Sequence, residues 1–215
     1  VTLTSGSLGP GPSVAAPRGR RLYLRSRRLT GSVVALAVTA ALTAWADRGA
    51  GAGDPSVRAS LLTAAPLAAA AVIGTGLYTH SDELDRTAAH RWWPRRFAHL
   101  VVLSLTASVL LGCVVLGTGE EHGVQAMVRN TLGATGTAAL AAVVIGARLS
   151  WLPPMVQLMG AYMAALTGAV GGGWVTPLVW PAQPGDRAGA WLAALALFLA
   201  GAGLHAWRGA GRRDA

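Results

Sequence analysis

The residues able to do chemistry crowd into one short stretch of this chain. His80 to Arg96, HSDELDRTAAHRWWPRR, holds three acids, four arginines, two histidines and a Trp pair. On a helix, Asp82 and Arg86 stand at i and i+4 and form an ion pair along one face. Glu83 stands seven residues before His90. Trp92 and Trp93 suit a membrane interface, and Pro94 is expected to stop the helix before the next apolar run. A short amphiphilic helix of this kind is a docking handle for a soluble partner. The plainer reading is a connecting loop with snorkelling arginines.

A second set of candidates lies within the apolar runs. Gln157 and Tyr162 are about 1.4 turns apart on a helix, so they do not share one narrow stripe. They are named as residues lining a pathway through a bundle. The hydroxyls of Thr39, Thr43, Thr63, Thr75, Tyr78, Ser104, Thr106, Ser108, Thr131, Thr135, Thr137 and Thr167 are expected mostly to bond to backbone or to neighbouring helices. His80, His90, His99 and His205 map near one face and His122 near the other, with no spacing that singles out an axial haem pair. No metal site and no cofactor is expected. Cys113 is the one cysteine, which excludes an intrachain disulfide and a thiolate cluster. Its placement in an apolar run reads as a small buried side chain.

Several enzyme classes find no motif here. There is no H-E-x-x-H and no G-x-S-x-G. All eighteen basic residues are Arg, so a phosphate-binding loop, which needs Lys, is excluded. If ATP drives this chain, another polypeptide hydrolyses it.

The elements that carry these residues are membrane helices. Hydrophobic residues make up 53% of the 215 and charged residues only 13%, against about 25% charged in soluble domains. The expected fold is all-α, a polytopic bundle of six spans near 30–46, 59–79, 97–117, 130–147, 153–175 and 188–207. Residues 1–28 read as a disordered basic tail and 208–215 as a second basic tail. Ser26-Arg27-Arg28-Leu29 faintly matches a twin-arginine signal, with Ala44-Trp45-Ala46 as a cleavage site. The intervening run is longer than a usual signal core, which favours a retained first helix. Pro66 is expected to kink span two, and Pro153 and Pro154 suit the start of span five. Gly168 and Gly172 have the spacing of close helix contact. Trp174–Arg187, with Pro177, Pro181 and Pro184, is too short and broken to span, and reads as a re-entrant or interfacial element on the outer face.

Charge and Trp placement agree with that map. With the N-terminus inside, fourteen of the eighteen arginines fall on inner segments, which sum to +10 against −1 outside. That bias fits both termini in the cytosol. The eight Trp residues fall at or beyond proposed span ends, where indole prefers to lie. None of the six proposed spans holds Asp, Glu, Lys or Arg. Ion-coupled pumps usually place such groups in the membrane, so a bundle of this kind is driven from outside itself or does not transport.

The basic N-terminus, six spans, the charged loop from Glu83-Leu-Asp-Arg86 to Arg95-Arg96 and the Pro/Trp-rich outer segment together resemble the permease subunit of ABC-2-type transporters, especially small actinobacterial ones. The resemblance implies a multi-pass protein of the cell membrane. It implies a separate ATP-binding subunit as partner, pairing with a second copy or a sister permease, and export of an apolar or amphipathic compound. It makes Asp82, Glu83, Asp85, Arg86 and Arg91 candidates for coupling to the ATPase. No nucleic-acid partner is expected. The leading rival is a non-transporting membrane protein that anchors or regulates a partner complex.

Overall fold

A computed structural model describes residues 29–49, 55–77, 93–116, 123–166 and 179–209. These residues form six α-helices and two 3-10 turns, with no strand among them. The helices are α1 (Leu29–Arg48), α2 (Pro55–Gly76), α3 (Trp93–Val114), α4 (Val124–Val144), α5 (Leu152–Leu166) and α6 (Ala188–Arg208). The 3-10 turns are Ala147–Leu149 and Trp180–Ala182.

Helix α4 is the hub. It packs against α2, α3, α5 and α6, and its tightest partner is α6. The residues explain why. A Cβ on Gly136 would run into the backbone of Leu197 and Phe198, and one on Gly201 would run into the Gly136 carbonyl. The two helices therefore meet backbone to backbone, which small residues alone permit. Helix α1 lies at the edge, against α2 and α3, and buries a narrow seam of Leu36, Ala40 and Thr43.

Neighbour contacts fix the helix directions. A Cβ on Gly76 would lie 3.2 Å from Ser32, so the end of α2 meets the start of α1. Gly112 of α3 sits against Val124, where α4 begins. Gly209 sits against the Arg96 guanidinium, so α6 ends where α3 starts. Helix direction thus alternates along the chain. One end of the bundle gathers Trp93, Leu152 and Arg208, the other Arg48, Val114 and Val124. The first end carries Arg95, Arg96, Arg148 and Arg208; both acids among the described residues, Asp47 and Asp186, lie at the second.

The exterior is apolar. Val102, Leu105 and Val109 form an exposed stripe on α3, continued by Leu116 just past its end, while Leu100, Leu103, Ala107 and Leu111 face inward. Leu192, Leu195 and Leu199 do the same on α6. Inside lie polar groups: Ser104, Thr131, Thr135, Ser150 and Arg129 are all fully buried. Large apolar side chains outside and hydroxyls inside reverse the usual order of a water-soluble protein. Three helices, Thr30–Arg48, Trp93–Val114 and Ala188–Arg208, are long and apolar enough to cross a membrane. Most hydroxyls return to the preceding turn, as Ser104 Oγ does to Leu100 O at 2.7 Å and Thr131 Oγ1 to Met127 O at 2.8 Å.

Pro94 is the second residue of α3, where a missing N–H costs no intrahelical bond; the loop helix it is expected to stop lies outside the described residues. Two details depart from the sequence reading. Cys113 is exposed, because it continues the outward stripe of α3 rather than the inward one. Helix α4 starts at Val124, six residues before the apolar run, and so takes Arg129 into the bundle. The Gly168/Gly172 pair lies outside the described residues.

Candidate functional site

The Pro-rich segment before α6 folds back into the bundle beside α4. Gly185 sits against Ala126, and the Trp180 ring sits on Gly133, where a Cβ would strike it. Trp180 is only 1% exposed. Between those contacts the segment tracks α4 for about 10 Å at the helical rise of 1.5 Å per residue. Trp180 is therefore no interfacial ring, contrary to its expected place at a span end. The cause is Gly133, which leaves an indole-sized gap on α4.

Arg129 holds this segment in place. Its Nη1 donates to Pro184 O and its Nη2 to Gln183 O, each at 2.7 Å. Its Nε donates to Asn130 Oδ1 at 3.1 Å, and Asn130 Nδ2 donates in turn to Pro181 O at 3.0 Å. Non-helical backbone inside a bundle needs internal partners. Pro181 and Pro184 cannot donate and break any helical ladder, so the carbonyls of Pro181, Gln183 and Pro184 turn to side chains. The planar fork of Arg meets two adjacent carbonyls at once, which a Lys ammonium does less well. Trp191 Nε1 adds a bond to Gly185 O at 2.9 Å, tying the segment to α6.

Next to this clasp is a cleft between α2, α4 and α5. Its walls include Pro66, Asn130, Pro154, Gln157, Trp180 and Pro181, around a small cavity of about 20 Å³. Pro66 lies within α2 and is buried, and Pro154 lies in the first turn of α5. Helix α5 enters this wall through a sharp corner. Gly146 takes φ 92°, which glycine alone adopts readily, the Ala147–Leu149 turn follows, and Ser150 Oγ donates to Ala147 O at 2.8 Å.

The sequence candidates separate on this geometry. Gln157 lines the cleft and lies 3.4 Å from Thr137 Oγ1. Tyr162 is 49% exposed, on the outward side of α5, and does not line the cleft. Asp82, Glu83, Asp85, Arg86 and Arg91 lie outside the described residues, as do His80, His90 and His122. His99 and His205 are described, on α3 and α6; no group of three or more metal-binding side chains occurs among the described residues. Arg129, Asn130 and Trp180 escaped the sequence reading. An Arg-Asn pair at the head of an apolar run was the available signal, but its partners lie more than fifty residues away.

Comparison with protein-family models, curated proteins and solved structures finds no match to this chain.

Proposed function

We propose that this chain is the membrane-spanning permease subunit of a transporter driven by a separate ATPase, and that it exports an apolar or amphipathic compound. The bundle crosses the cell membrane six times, with both termini in the cytosol. The observation that carries this reading is the cleft: an opening with polar groups at Asn130 and Gln157, set in a bundle whose outer surface is apolar. Its wall holds Pro66, which lies inside α2, and proline there removes a ladder bond where a wall must bend. The end that carries Arg95, Arg96, Arg148 and Arg208 is the side on which fourteen of the eighteen arginines fall in the six-span map, which supports its cytosolic placement. The charged loop leading into α3 joins the bundle at the same end, where an ATPase docks. Asp82, Glu83, Asp85, Arg86 and Arg91 are its contacts.

Affinity purification of the tagged chain from its native membrane tests this. A nucleotide-binding subunit is expected to co-purify, and to be lost when Glu83 and Arg86 are both changed to Ala. An undiminished pull-down in the double variant removes the loop from the coupling path. If the wild-type chain brings down a complex with no ATPase, the anchoring role replaces transport.

A further inference from the structure

We propose that the arginine-rich end of the bundle is a docking surface for anionic phospholipid, and that in the leaflet this end faces the chain selects headgroups of net negative charge over zwitterionic ones. The inference goes beyond the transport reading and rests only on the bundle lying in a membrane.

Three exposed arginines carry it. Arg95 lies in the first turn of α3, Arg148 in the Ala147–Leu149 turn after α4, and Arg208 closes α6. They stand on three elements, so the charge is spread over the end and is not gathered at one helix. Arg96 is not one of them. It is buried, with its guanidinium against Gly209 at the carbonyl-rich end of α6. Acids do not cancel this charge. Asp47 and Asp186 lie at the opposite end. The full inner segments, with Asp82, Glu83, Asp85 and Asp214 counted, still sum to +10.

Two indoles set the depth. Trp93 is 53% exposed and Trp207 75% exposed at this same end, and indole settles where hydrocarbon gives way to headgroups. The Arg208 guanidinium carbon lies 5.5 Å from the centroid of the Trp207 ring, a cation–π distance. The ring thereby holds that cation at headgroup depth, and the planar N–H fork of Arg suits a phosphate. Toward the bundle middle, exposed Val102 and Leu105 of α3 and Leu195 and Leu199 of α6 give acyl chains an apolar wall. The opposite end is the internal contrast. It carries the equally exposed Trp45 but sums to −1. Aromatic rings are therefore common to both ends, and only the charge differs.

The test is electron paramagnetic resonance on the full chain in phosphatidylcholine vesicles, with trace spin-labelled phosphatidylglycerol or phosphatidylcholine. The fraction of each label slowed at the protein surface gives their relative association. A basic residue at a bilayer surface favours anionic lipid about fivefold, so averaging with an indifferent second leaflet leaves phosphatidylglycerol favoured about threefold. Changing Arg95, Arg148 and Arg208 together to Gln is expected to bring the ratio to about one, and changing all three to Lys is expected to keep it. Arg48→Gln, at the opposite end, is expected to leave the ratio unchanged. Raising NaCl to about 0.5 M is expected to lower the wild-type ratio by screening. No preference in the wild type, an unchanged ratio in the Gln variant, or an equal loss in the Lys variant overturns the proposal. Loss of the preference to glycerol phosphate, at matched ionic strength, overturns it too and assigns the arginines to a free anion. The salt and Lys arms keep the test decisive if the Gln variant does not fold. No arm needs ATP or a protein partner, so failure of transport and failure of lipid selection are distinct results.

Discussion

Replacing Arg129 by Met is expected to free the segment between Trp180 and Arg187 from α4. Methionine fills a similar space without donors. The carbonyls of Gln183 and Pro184 each lose a charged donor at 2.7 Å, Pro184 O keeping only the longer 3.4 Å bond from the Arg187 N–H, and Asn130 loses the bond from Arg129 Nε. A hydrogen bond to a charged group is worth about 1.5–3 kcal/mol, so losing two costs about 3–6. Removing the buried charge returns part of this, because the guanidinium no longer has to be desolvated, and the net expectation is about 2–4 kcal/mol. The loss is local first. Hydrogen exchange reads it at the amides of Ala182, Gln183 and Arg187, which donate within the segment to Val179, Trp180 and Pro184. At 1.4 kcal/mol per factor of ten, their protection is expected to fall about 30-fold to about 700-fold. Arg48→Met, at an exposed position, is the control and is expected to stay within about 0.5 kcal/mol of wild type. Unchanged protection in Arg129→Met would show that the carbonyls find other donors, and that the guanidinium does not hold the segment.

Two further outcomes follow from the same packing. Gly136→Ala drives a methyl into the α6 backbone and is expected to destabilise the bundle by about 1–3 kcal/mol in denaturant titration. Gly160→Ala, where a Cβ meets nothing within 4 Å, is expected instead to be neutral or to gain up to about 1 kcal/mol. Reporter fusions at the two termini are expected to report the cytosol for both; a periplasmic or extracellular signal from either would contradict the proposed orientation, and from one alone an even number of crossings as well.

Much of the helical layout was legible in the sequence. Long Ala- and Leu-rich runs favour helix at every position, and breaks at Gly, Pro and charge separate them, so a helix occupies each apolar run. The ends were less legible. Val124–Arg129 looked like a polar connection, although it is the first turn and a half of α4. Cys113 was assigned inward because a run apolar on all sides does not say which face is which. The site was less legible still. Gln157 was singled out for being polar in an apolar run, and it does line the cleft, but Tyr162, chosen on the same ground, does not.

By itself, then, the sequence determined composition, helix and charge asymmetry, because each is a property of neighbouring residues and needs no fold. Tertiary structure alone decided that α4 becomes the hub, since that depends on Gly136 and Gly201 meeting across 65 positions of chain. It also decided that Arg129 faces inward and grips carbonyls 54 and 55 residues away. A buried cation is tolerable only where acceptors already wait for it, and those acceptors exist only once the Pro-rich segment has folded back beside α4.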